Sequence, residues 1–220
     1  RFISATVSAG LADGKTIGQG LEEMDKIAAQ TLDETFRTAL SGDSKDYRES
    51  SSSLMFAFIL ALILIYLILA AQFESFKDPF IIMLTVPLAI AGALIFMYAG
   101  GITMNIFSQI GIIMLIGLVA KNGILIVEFA NQKQEGGENK MQAIRDAALQ
   151  RLRPILMTSA STVLGLIPLA FATGEGANQR IAMGTAVVGG MLVSTFLTMY
   201  IVPAIYSYIS TNRNVKTEIV

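Results

Sequence analysis

"IGLVAKNGILIVEFA", residues 116–130, decides the fold. Apart from Lys121, Asn122 and Glu128 it is apolar, and it sits inside a longer run, Phe107–Ala130. That length matches the ~20 residues a helix needs to cross a hydrocarbon core of ~30 Å. Four further runs resemble it: Leu54–Ala71, Pro79–Ala99, Pro154–Thr173 and Ile181–Ile209. With 53% hydrophobic and 15% charged residues, the chain is too apolar for an ordinary soluble domain. The predicted fold class is mainly α: a polytopic transmembrane helix bundle of about five spans, preceded by a small α/β piece.

Residues 1–50 carry that piece. "RFISATVSA" alternates with Ile3, Ala5, Val7 and Ala9 on one face, which predicts a strand. Thr16 followed by Gln19 has capping-box spacing, and Leu21, Met24, Ile27, Ala28 and Leu32 recur at helical period. "FRTALSG" predicts a second strand, completing a βαβ unit whose partner strands must come from elsewhere. "DSKDYRESSSS" reads as a polar linker into the membrane. The bundle is expected over 51–211 and a tail over 212–220. Within the bundle, residues 138–150 predict a short amphipathic surface helix with Met141, Ile144, Ala148 and Leu149 on its apolar face. The chain opens on Arg1 rather than Met, so it is expected to be a piece of a longer polypeptide.

Several function classes drop out. The chain has no Cys and no His, which removes disulfides, thiol redox, Cys/His metal sites and His-based triads; no metal or cofactor is expected. A net charge of −1 without a basic block gives no reason to expect nucleic acid. "AGLADGKT" loosely matches a phosphate-binding loop, but Ala9 stands where the strict motif needs glycine and Asp13 would repel phosphate. A polar turn before a capped helix explains it.

Loop charge sets the expected orientation. One side carries Lys77, Lys133, Lys140, Arg145, Arg151, Arg153, Arg213 and Lys216; the short opposite loops carry only Arg180, besides Lys45 and Arg48 beside the first span. The positive-inside rule makes the first side and the C-terminus cytoplasmic and residues 1–50 external. Small residues four apart (Ala89/Ala93, Ala186/Gly190, Gly190/Ser194) predict close helix packing.

Lys121 is the candidate functional residue. It lies about nine residues, or ~13 Å, inside the cytoplasmic end of the predicted span, too deep for its stem to reach water. An intramembrane ionisable residue of this kind is by default a functional site facing the protein interior. Glu128 shares its helix face but stands ~10 Å along the axis, and the other acidic residues are expected in loops, the tail or the soluble piece. The countercharge is therefore expected from protein outside this sequence. Asn122 adjoins the lysine. Arg151 and Thr158, seven apart, share one face of the next span, with Thr162 further along it. Hydroxyl back-bonding to the helix's own carbonyls is the plain alternative for the threonines.

"GLVAKNGILIVEFAN", "RLRPILMTSASTVLGLIPLAFATGEG", "GTAVVGGMLVSTFLTMYIVPAIY" and "LAAQFESFKDPFIIMLTVPLAIAGAL" together closely resemble the resistance–nodulation–division (RND) superfamily, in its hydrophobe/amphiphile multidrug efflux branch. The resemblance covers essentially the whole chain. It implies an inner-membrane pump of two repeated halves, of which this chain matches the C-terminal end, with residues 1–50 part of a periplasmic porter domain. It implies a proton-driven homotrimer exporting amphiphilic small molecules through a periplasmic adaptor and an outer-membrane channel. Lys121 matches the family's proton-relay lysine, and Arg151 and Thr158 match the arginine and threonine of the relay. The relay's two aspartates belong to the N-terminal half, which this sequence lacks. The weighed alternatives are a protein-export accessory subunit of the same superfamily and a truncated, non-transporting membrane scaffold.

Overall fold

Pro87 marks where the helical spans are first tested, because proline has no N–H for the carbonyl of Met83 four residues earlier. In the computed structural model the second span is interrupted there. The model describes residues 4–12, 15–33, 35–174 and 176–210. Those residues form α1 (Ile17–Thr31), α2 (Asp43–Phe73), α3 (Lys77–Met83), α4 (Thr85–Ala99), α5 (Ile106–Glu135), α6 (Lys140–Ala170) and α7 (Ala177–Ile209). Leu84 alone separates α3 from α4, and the Thr85 hydroxyl donates to the Ile82 carbonyl at 2.7 Å. A hydroxyl on the ladder and a proline two residues later together account for the interruption. Pro154, Pro168 and Pro203 are accommodated inside continuous helices.

The chain divides into two compact units, Arg1–Ser53 and Leu54–Val220. In the first, α1 forms where expected. Thr16 accepts from the Gln19 amide and Gln19 returns the bond to the Thr16 amide, both at 3.3 Å, so the threonine of the phosphate-loop look-alike is occupied as a cap. Lys26 donates a hydrogen bond to Glu23 at 2.8 Å, and that bond together with its charge holds the Glu23 carboxyl below the usual range. Arg48 pairs with Asp25 at 3.0 Å.

The expected strands are a correction. Among the described residues, 4–12 and 36–41 carry no strand, so the small α/β piece reduces to α1, the start of α2 and irregular chain; Arg1, Phe2 and Ile3 lie outside the described residues. A strand's N–H and C=O groups need a neighbouring strand, and alternation alone supplies none. The expected linker is a second correction: residues 43–52 are helical and continue into the first span as α2. They contain no Pro or Gly, and extending an existing helix needs no new nucleus.

Among the described residues five helices are long and apolar enough to cross a membrane: Ser53–Phe73, Lys77–Ala99, Ile106–Glu135, Lys140–Ala170 and Ala177–Ile209. The chain is a multi-pass membrane protein. α7 is central and packs against α3, α4, α5 and α6. One core layer gathers Ile81, Ile82, Ile126, Ala130, Ile144 and Val202; the other gathers Ala89, Ala93, Leu115, Val119, Ala186 and Met191. The amphipathic helix expected at 138–150 is not separate, because residues 140–170 run as one helix. Its inward face is Ala143, Ile144 and Ala147, whereas Met141 and Leu149 are 65% and 64% exposed. The expected 212–220 tail, with Arg213 and Lys216, lies outside the described residues.

Candidate functional site

α5 carries the lysine and is fixed at both ends. Asn105 caps it by accepting from the Ser108 amide, and Ser108 accepts from the Asn105 amide, both at 2.9 Å. At the other end the chain turns through Gly136 and Gly137, the latter at φ +94°, which favours glycine. Lys133 then pairs with Glu138 at 2.6 Å and lies 3.9 Å from Asp146, tying the end of α5 to the start of α6. α5 runs on to Glu135, past the expected end at Ala130. Lys121 therefore stands about 21 Å from that end at about 1.5 Å per residue.

Lys121 projects from the bundle's uncovered side. Its neighbours Ala120 and Asn122 are buried, while Lys121 is exposed in line with Met114 and Gly117. No carboxylate among the described residues pairs with it. Glu128 instead accepts from Gln132 at 3.0 Å and faces a cleft of ≈ 460 Å³ shared with Glu74, Asp78 and Glu135.

The other candidates are not gathered around Lys121. Arg151 lays its guanidinium over the Phe129 ring, 4.4 Å from the centroid, with the Lys133 ammonium 5.9 Å away. The Arg151 Nε is buried without a hydrogen-bond partner among the described residues. Thr158 donates to the Ile155 carbonyl at 3.1 Å and Thr162 to the Thr158 carbonyl at 2.8 Å, so both hydroxyls back-bond along α6. No hydrogen bond joins Lys121, Arg151 and Thr158 to one another. Asn122 points inward and donates to Ser159 at 3.3 Å and Thr195 at 3.4 Å.

The sequence reading missed a second polar group. Asp78, expected in a loop, sits in the first turn of α3 and is 2% exposed. It accepts from Asn131 at 3.1 Å and from the Ser210 hydroxyl at 3.3 Å. Tyr206 donates to Asn131 and accepts from Gln134 at 2.7 Å, and Lys140 donates to the Ser210 carbonyl at 2.6 Å. Asn131 and Gln134, three apart at the end of an apolar run, were the available signal. Asp78→Leu would leave two buried donors without their acceptor and is expected to destabilise the bundle by about 2–4 kcal/mol. Thermal melting of the detergent-solubilised protein checks this; an unchanged midpoint would deny the network a structural role.

The sequence pattern of the AcrB/AcrD/AcrF family matches residues 1–210. An uncharacterized transporter of Haemophilus influenzae is 40% identical over 217 residues, covering 96% of this chain and 21% of that protein. The toluene efflux pump membrane transporter TtgB of Pseudomonas putida is 38% identical over 199 residues, covering 90% of this chain and 19% of that protein. The multidrug resistance protein MdtF of Escherichia coli K12 is 39% identical over 196 residues, covering 89% and 19%. The chain spans about a fifth of the length of these relatives. A five-span helical unit matched from residue 1 to residue 210 assigns this chain to the AcrB/AcrD/AcrF family, within the RND efflux transporters.

Proposed function

We propose that the chain is part of a proton-driven RND efflux transporter that exports drugs or other amphiphilic compounds, a secondary antiporter and not an enzyme. The carrying observation is Lys121: a mid-span ammonium exposed along an uncovered stripe of α5, with no carboxylate among the described residues paired to it. Carboxylates from protein outside this sequence would lie against that stripe. A lysine facing acids that load and release protons exchanges partners at each protonation change, and such coupled titration can drive a conformational cycle. Arg151 and Thr158 complete the relay, flanked by Asn122. The protein would sit in a bacterial inner membrane with residues 1–50 periplasmic and the C-terminus cytoplasmic. It would work as a homotrimer with a periplasmic adaptor and an outer-membrane channel. The names of TtgB and MdtF, a toluene pump and a multidrug resistance protein, support the substrate class.

The test is efflux of a fluorescent amphiphilic dye from cells producing the native-length protein in a pump-deficient background. Extrusion should stop within the time a protonophore takes to collapse the gradient, with cellular ATP maintained. Extrusion that survives the protonophore would overturn proton coupling.

A further inference from the structure

Asn122, Ser159 and Thr195 come from three different helices, α5, α6 and α7, and meet in an otherwise apolar interior. They are 2%, 5% and 3% exposed. Asn122 donates to Ser159 and Thr195 at 3.3 and 3.4 Å, and Thr195 donates to Ser159 at 3.1 Å. The contacts close a ring and do not form a line leading away from Lys121. An amide does not titrate, and its N–H groups are both committed within the ring. The group is therefore poorly built to carry a proton.

It is well built to set an angle. Consecutive helix residues are about 100° apart around the axis, so holding Asn122 inward holds Lys121 outward. The packing of apolar neighbours such as Val119 and Ile126 is non-directional and by itself sets no preferred angle against small rotations of α5. A directional polar contact resists them, and within a bilayer such contacts add little to stability on average. We propose that Asn122, Ser159 and Thr195 form a clamp that fixes the rotation of α5 and so aims Lys121, which makes Ser159 and Thr195 positioning residues. This inference rests on the relay reading of Lys121.

α7 supplies an internal control. Thr198, one turn beyond Thr195, is 1% exposed, but its hydroxyl has no hydrogen-bond partner among the described residues. Thr→Val at the two positions makes the same chemical change at nearly equal burial, with two clamp bonds lost at Thr195 and none at Thr198.

The experiment measures proton-coupled dye efflux against pH for the native-length protein, with melting temperature measured alongside. The combined Ser159→Ala/Thr195→Val variant is expected to lower maximal efflux about three-fold and to move the pH of half-maximal efflux by about 0.5 unit, since turning α5 changes how closely the ammonium meets the proton-loading acids. Its melting temperature should stay within a few degrees of the parent. Thr195→Ser and Thr198→Val should keep the parental profile. If the combined variant does not accumulate, Thr195→Val alone carries the same comparison. An unmoved pH profile, with or without a lower melting temperature, would overturn the clamp. Normal efflux by Lys121→Met would overturn the relay reading itself; loss of efflux there with a parental profile in the clamp variants would overturn only the clamp.

Discussion

Lys121→Met is expected to reduce drug efflux to the background of cells lacking the protein, with the amount of protein in the membrane unchanged. Methionine is unbranched and close to lysine in length, so the substitution removes charge and leaves most of the side-chain bulk. Lys121 is exposed in the bundle, so this chain loses no core contact. Removing a charge from mid-span favours insertion by about 2.5–3.5 kcal/mol on translocon scales, so a folding defect is not the expected route to failure. Lys121→Arg should fail as well, because a broad planar guanidinium with a fixed fork of donors grips a carboxylate differently from a compact ammonium and does not exchange partners in the same geometry. Drug susceptibility and dye efflux, read beside a membrane immunoblot, check both. Efflux at the parental level from either variant would count against a relay role for this position.

Gly190→Leu is expected to prevent accumulation of a folded bundle, and Gly190→Ala to destabilise it by about 1–3 kcal/mol. A Cβ at Gly190 would stand 2.2 Å from the Leu115 Cδ2, 2.8 Å from the Ala89 carbonyl oxygen and 3.3 Å from the Ala93 Cβ. Leu115 can swing its tip aside, but the carbonyl of α4 cannot move without moving the helix. At the next position a Cβ on Gly189 would lie 2.3 Å from the Phe96 Cβ. The two glycines let α7 approach α4 along the seam where Ala89 and Ala93 present the matching small side chains. Size-exclusion profiles and melting of detergent extracts decide it; a monodisperse Gly190→Leu protein melting like the parent would show that the helices are not held this closely.

The spans were legible because crossing a bilayer imposes a length and a composition, and both can be counted along a chain. Which side of each span faces inward was not. In α4, α5 and α7 the few polar residues do not gather on one face, so no polar face marks the outside, and shape decides the contacts. The small-residue spacing around Gly190 was the one shape signal the sequence displayed. Lys121 was legible because a charge in such a run has few bland explanations. Ser159 and Thr195 were not, since a hydroxyl in a membrane helix ordinarily bonds its own backbone, as Thr158 and Thr162 do. Asp78 was hidden by its position beside a turn, where a carboxylate is normally solvated. The strands were over-read because alternation describes one strand and says nothing about a partner.

The interruption at Leu84 has a mechanical consequence. α3 is anchored through Asp78 to Asn131 and Ser210, at the far ends of α5 and α7, while α4 is seated against Gly190 in the middle of α7. An unbroken span would be a single rod bolted at two places and would carry any tilt from one bolt to the other. At Leu84 the backbone keeps its helical turn, but Pro87 offers no N–H to the Met83 carbonyl, so this junction between the two anchored ends is where the span bends most easily.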